Sequence, residues 1–255
     1  MCPDQPATVS APATLPPPPA LDVREVTVRF GGNVALDMVN LKAETAVVTG
    51  LIGPNGAGKT TLFNVITGLL PPSGGQVLIA GTNVSRVRPS SRARLGMART
   101  FQRLELFSLL SVRENIRVAA DIRRTGGAHR EQFVDDIIRR VGLNDVADSR
   151  VDSLSTGRAR LVELGRALAT EPKILLLDEP ASGQDENETE AFGRLLRELA
   201  TEDIAVVLVE HDMHLVMQVC DVIHVLDFGR IISAGTPHEI QNDEAVLAAY
   251  LGTKS

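Results

Sequence analysis

Only two cysteines occur in the 255-residue chain, Cys2 and Cys220. They are far apart and in no metal-ligand spacing. That argues against a disulfide framework or a thiolate metal site and points to unpaired thiols in a reducing compartment. No apolar run approaches the roughly 20 residues that span a bilayer as a helix. Residues 1–20 lack the basic start and apolar core of a signal peptide. A soluble, cytoplasmic protein is expected, and a membrane role requires a partner. Basic excess is missing too: the net charge is −6, so nothing supports nucleic acid as a partner. Tryptophan is absent and aromatics make up 3%, yet apolar content is ordinary at 44%. That suffices for one large α/β domain, or for a core with a smaller lobe.

What is present centres on Gly53-Pro54-Asn55-Gly56-Ala57-Gly58-Lys59-Thr60, which has the form G-x-x-x-x-G-K-[ST]. Residues 46–52 read as a buried strand leading into it, and residues 61–68, from Thr61 to a stop at Gly68, read as the helix leaving it. Glycines let the backbone curl with its N–H groups inward, and the helix N-terminus adds partial positive charge, so a polyphosphate fits. Lys59 then reaches the outer phosphates and the Thr60 hydroxyl meets Mg2+.

Residues 1–20, with a proline run at 16–19, cannot bury a core and are expected to be a mobile, partly polyproline tail. Residues 21–30 partly alternate and predict a strand ending at Phe30, followed by a Gly31-Gly32-Asn33 turn and a second short strand from Val34. Phe30 either stacks on an adenine or packs at the strand end. A hairpin is predicted around residues 76–83, one helical turn at 90–94, and a strand over 95–101 that delivers Gln102. From about 104 to 170 the pattern is helical only, with a break at Gly126-Gly127, which reads as a lobe inserted in an α/β core.

Four apolar residues, 174–177, run into Asp178-Glu179, and another apolar strand, 204–209, runs into Glu210-His211-Asp212. Strands of this kind alternating with helices predict a parallel sheet covered on both faces, with its ligand at the strands' C-terminal ends. Hydrolysis of a phosphoanhydride needs a metal and an oriented water. Asp178 is placed to hold Mg2+ through water, and Glu179 to act as the base. His211 is placed to hold the γ-phosphate. Gln102 can reach the metal or the water and transmit that contact to the helical lobe. Leu154-Ser155-Thr156-Gly157 opens a helix: Ser155 is either an N-cap or part of a second anion site, serving another chain's nucleotide. Arg86, Arg88, Arg92, Arg94, Arg99 and Arg103 read either as a plain solvated basic face or as a face that helps dock the membrane or a transmembrane partner's cytoplasmic helix.

Phe30, the loop at 53–60, Gln102, Leu154-Ser155-Thr156-Gly157, Asp178-Glu179 and His211, in that order, resemble the nucleotide-binding subunit of an ATP-binding cassette (ABC) transporter over about residues 21–251. The resemblance implies a P-loop NTPase (RecA-like) α/β core with an antiparallel β subdomain and an inserted α-helical lobe, making one ABC ATPase domain over 21–255. It implies ATP and Mg2+ as ligands, with Phe30, residues 53–61, Ser155 and Gly157 contacting nucleotide. It also implies a head-to-tail dimer with an identical chain or a paralogue, with transmembrane permease subunits and, indirectly, a substrate-binding protein as partners. The chain would then lie peripherally on the inner face of the cell membrane.

Gly96-Met97-Ala98-Arg99-Thr100-Phe101-Gln102, Val112-Arg113-Glu114-Asn115 and the ending Ala249-Tyr250-Leu251-Gly252 are similar to the ATPases of branched-chain amino acid importers. Urea and short-amide importers and the lipopolysaccharide export ATPase are near alternatives, and a soluble, non-transport ABC ATPase is a further one. Thr156 and Arg158 depart from the usual L-S-G-G-Q, and Gln184 stands where a leucine is usual. Arg158 is expected to bring a cation towards the partner's phosphate site, and Gln184 bears on cooperativity between sites.

Overall fold

The computed structural model describes residues 17–122 and 128–251. The N-terminal tail through residue 16, Cys2, the Gly126-Gly127 break and Gly252 lie outside the described residues.

A four-stranded antiparallel sheet, ordered β2-β1-β4-β5, is built from β1 (Leu21–Phe30), β2 (Asn33–Ala43), β4 (Gly74–Ile79) and β5 (Thr82–Asn83). The second strand is thus a long one that pairs with β1 throughout, not a short one. The imperfect alternation of β1 has a cause: a register shift between Val23 and Val26, where Glu25 takes φ +49°. The bulge changes the phase, so that Leu21 and Val23 before it and Val26 and Val28 after it all enter one core.

The second sheet has six strands in the order β10-β9-β3-β8-β7-β6. These are β3 (Val48–Ile52), β6 (Met97–Arg99), β7 (Ile174–Asp178), β8 (Ala205–Val209), β9 (Val222–Asp227) and β10 (Arg230–Gly235). β6, β7, β8, β3 and β9 run parallel, and β10 returns antiparallel to β9. The apolar runs of β3, β7 and β8 look featureless in sequence because both faces are covered, but the pleat divides them. Val48, Leu175, Leu177, Val206 and Leu208 enter one core, and Leu51, Ile174, Leu176, Val207 and Val209 enter the other.

On the first face lie α3 (Val112–Ala120), α4 (Ala128–Arg140), α5 (Thr156–Leu168), α6 (Glu186–Ala200), α7 (Met213–Val219), α8 (Pro237–Gln241) and α9 (Glu244–Leu251). The opposite core is closed by the antiparallel sheet and α1 (Lys59–Thr67), with α2 (Pro89–Arg94) at its border. Ser111 and Asp185 form capping boxes with Glu114 and Glu188, which fixes where α3 and α6 begin. Cys220 is buried and free, and burial pushes its thiol up to about 12.

Two sequence expectations change here. The strand before Gln102 covers only Met97–Arg99, because Gly96 takes φ +98° and ends the extended run on its N-terminal side, so Gln102 stands in the loop beyond it. The basic face loses two members. Arg92 is 1% exposed and Arg99's side chain 6%, both committed to internal partners, whereas Arg86, Arg88, Arg94 and Arg103 remain exposed.

Candidate functional site

The site follows from strand order. β8 lies between β3 and β7, and Val209 is level with both Leu51 and Asp178. The loop leaving β3, the acids ending β7 and the histidine after β8 therefore share one edge, where parallel sheets bind ligands.

At the loop, Gly53, Gly56 and Gly58 take φ of +151°, +81° and +110°. A Cβ at Gly53 would lie 1.9 Å from the Leu226 carbonyl oxygen, and one at Gly58 would lie 2.8 Å from Leu36, so the curl is open only to glycine. Lys59 Nζ donates to the carbonyls of Gly53 (2.6 Å) and Pro54 (2.9 Å), which holds the ammonium inside the curl. Burial lowers its pKa, and the negative charges of Glu179 and Asp178 oppose that. Thr60 is exposed in the first turn of α1, and Thr61 is half-buried behind it.

Gly53→Ala is expected to weaken binding of a fluorescent ATP analogue by more than tenfold. Gly56→Ala, whose Cβ would meet nothing within 4 Å, should cost only the left-handed strain of about 1–2 kcal/mol. Equal losses in an equilibrium titration would contradict the close-approach argument.

Asp178 is 4% exposed and accepts from Arg99 Nη2 at 3.0 Å. Glu179 takes φ +49°, a left-handed conformation unusual for a glutamate, with its N–H on the Val209 carbonyl at 2.9 Å. Its carboxylate meets Gln102, whose Nε2 donates to Glu179 Oε2 at 3.1 Å. Gln102 and Glu179 are thus joined directly, at the sheet edge that also carries Asp178 and the lysine cradle. His211 is exposed, and its Nδ1 lies 3.6 Å from Glu210. Phe30 ends β1 and is 53% exposed. Ser155 caps α5, its hydroxyl accepting from Arg158 N–H at 3.4 Å, and Gly157 is buried behind it.

Several groups were not legible in sequence. Glu210, 2% exposed, accepts from the N–H of Ala181 (2.8 Å) and of His211 (3.1 Å), tying the loop after the acid pair to the histidine. Burial pushes its carboxyl up against those two hydrogen bonds. Arg160 of α5 donates to the carbonyl of Phe101 (2.7 Å) and to that of Gln102, and pairs with buried Glu163. Tyr250 of α9 is hydrogen-bonded to the Gly53 backbone, and burial pushes its phenol up. The departures from the signature also meet. A Cβ at Gly183 would lie 3.0 Å from Thr156, and one at Gly157 would lie 3.2 Å from Gln184. Arg158 is paired with Asp145 at 2.9 Å, so its charge is matched within the chain. No local pattern announces these contacts. The one available signal was an acid, Glu210, directly after an apolar strand.

A lysine-bearing glycine cradle opposite two carboxylates at strand ends is the phosphate site of a P-loop nucleotide hydrolase. Residues 36–182 match the ABC transporter family, and residues 230–254 match the branched-chain amino acid ATP-binding cassette transporter family. The chain belongs to the ABC transporter family, as one of its ATP-hydrolysing subunits. It is 38% identical to the high-affinity branched-chain amino acid transport ATP-binding protein BraF of Pseudomonas aeruginosa, over 92% of this chain and 98% of that one. LivG of Escherichia coli K12, with the same described role, is 37% identical over the same shares. The lipopolysaccharide export ATP-binding protein LptB of the same organism is 33% identical over 91% and 97%. Among solved structures, a nucleotide-free ATP-binding cassette superposes with TM-score 0.81 at 29% identity, covering 91% of this chain and 98% of that one. The dimeric cassette MJ0796 bound to ADP and Pi gives 0.77 at 25%, covering 85% and 98%.

Proposed function

We propose that this subunit hydrolyses ATP to drive import of branched-chain amino acids through a membrane permease. The observation that carries the reading is the glycine cradle closed around the Lys59 ammonium at the same sheet edge as Asp178 and the Gln102–Glu179 pair. In this reading residues 53–61 hold the phosphates and Phe30 the adenine. A Mg2+ site of this kind needs only one or two protein carboxylates, because the substrate's phosphates supply further oxygens, and Asp178 offers one at the buried end of β7. Thr60, Asp178 and Gln102 would hold the ion, and it would neutralise charge developing on the phosphates. Glu179 takes a proton from water as the water oxygen bonds to the γ-phosphorus and the bond to the β–γ bridging oxygen breaks. His211 steadies the γ-phosphate. Ser155 and Gly157 serve the nucleotide of a second subunit, identical or paralogous, in a head-to-tail dimer.

A permease contact is supported by an open cavity of about 840 Å3 where Phe101, Val118 and Ile122 meet Arg94 and Arg166. The rings and chains there are exposed, Ile122 by 75%. Among the described residues no helix is long and apolar enough to cross a membrane, so this contact would hold the chain at the inner face. We take residues 21–255 as one ATPase domain and the segment from about 104 to 170 as its movable lobe. The substrate class rests on the relatives and on the C-terminal match. The likeness to LptB keeps an export role as the second reading.

The test is a mild-detergent pull-down of the Glu179→Gln protein with Mg-ATP from native membranes, read by mass spectrometry. Multi-span proteins, a second ATPase and a binding protein specific for branched-chain amino acids are expected. Recovery of an exporter's permease, or of no membrane protein at all, would overturn the reading.

A further inference from the structure

Arg99 is the most heavily committed cation in the site. It closes β6 beside β7, level with Leu176. Its Nη2 holds Asp178 at 3.0 Å, and its Nη1 donates to Asn64 Oδ1 of α1 at 2.8 Å. The flat guanidinium lies over two rings, 5.4 Å from the Phe63 centroid and 4.9 Å from that of Phe101. Phe63 is fully buried and fixed, whereas Phe101 is 39% exposed and, with Arg99, lines the open cavity bordered by Val118 and Ile122. The Phe101 carbonyl is held by Arg160 of α5, and the next residue, Gln102, donates to Glu179. One short segment therefore grips both acids of the pair, Asp178 through Arg99 and Glu179 through Gln102, and shows one aromatic ring to the outside.

We propose that Arg99 is a positioning residue for Asp178, and that Phe101, stacked on its guanidinium, holds the fork in the orientation that sets the carboxylate receiving the metal. This rests on the ATPase reading of the site and deepens it. The chemistry is specific to arginine. A planar fork can hold a carboxylate and an amide oxygen while its face stacks on a ring, and lysine can supply the charge but not that geometry. A ligating carboxylate is oriented by its hydrogen-bond partners, and losing such a partner lowers metal affinity by about 10–100-fold.

The test uses the full chain with a non-hydrolysable ATP analogue and measures Mn2+ binding by electron paramagnetic resonance. Metal-free binding of the analogue is measured in parallel. Arg99→Lys is expected to weaken Mn2+ binding by about tenfold or more. Phe101→Ala should weaken it by about threefold, the size of a partly exposed cation–π contact. The double variant should lose less than the product of the two, because both act on one guanidinium. Metal-free analogue binding should stay within twofold throughout, which a general structural defect would not allow. Unchanged or tighter Mn2+ binding in Arg99→Lys would overturn the positioning role. Independent, multiplicative losses would overturn the link through Phe101. If Arg99→Lys does not fold, Phe101→Ala against Phe101→Tyr decides: alanine alone should weaken the metal, and equal effects or none would overturn the proposal. None of these readouts depends on permease binding or turnover, so failure of the transport reading would be seen separately, in the pull-down.

Discussion

Glu179→Gln is expected to lower ATP turnover by about 10²–10⁴-fold, the usual worth of a positioned general base, while leaving ATP bound. The reasoning is geometric. Glutamine is isosteric and its amide oxygen can still accept from Gln102 Nε2, now 3.1 Å from Glu179 Oε2. The glycine cradle and Lys59 are untouched, and Asp178 keeps its Arg99 partner. Only the capacity to take a proton from water is removed. With hydrolysis blocked and binding intact, Mg-ATP should accumulate in a closed dimer, visible as a shift to twice the mass in light scattering after size exclusion. Lys59→Ala should behave differently, losing nucleotide binding itself. Turnover at the parent rate in Glu179→Gln would remove this carboxylate from the role of base.

The largest stability loss is expected from Arg92→Met. Arg92 is 1% exposed and donates only to carbonyls. Nη1 reaches Val65 (2.7 Å) and Ile66 (2.6 Å) at the C-terminal end of α1, Nε reaches Val87 (3.0 Å) and Nη2 reaches Ser85 (3.2 Å). It thus satisfies the open end of the P-loop helix and complements its dipole. Methionine fills the space but removes a donor from the Ile66, Val87 and Ser85 carbonyls, while Val65 keeps the Gly68 N–H, for a loss of about 3 kcal/mol. In a chain of this size that lowers the thermal midpoint by roughly 6–12 °C. Arg86→Met, on an exposed neighbour, should stay within about 0.5 kcal/mol. The two variants carry the same charge change, so equal midpoints would show that Arg92 is no more than another surface arginine.

These arginines show how far the chain could be read without coordinates. Six of them crowd residues 86–103, and charge alone makes them a solvated face. Burial separates them: Arg92 caps a helix, Arg99 holds an acid of the site, and the others stay exposed. The exposed basic face is therefore smaller than the sequence suggests, and exposed apolar side chains line the cavity beside it. Arg158 tells the same story, since its partner Asp145 is distant enough in sequence to be invisible to a motif.

The phosphate loop was set by the sequence alone, because glycine at a left-handed position and lysine at a helix start are local requirements carried by residue type. The acid pair, the histidine and the buried strands leading to them were legible for the same reason. Only the tertiary structure decided which of these groups meet. It placed β8 between β3 and β7, so that segments far apart in sequence end at one edge. It set Arg99 on Asp178, Glu210 across two loops and Thr156 against Gly183, because long-range packing chooses partners that no spacing along the chain encodes.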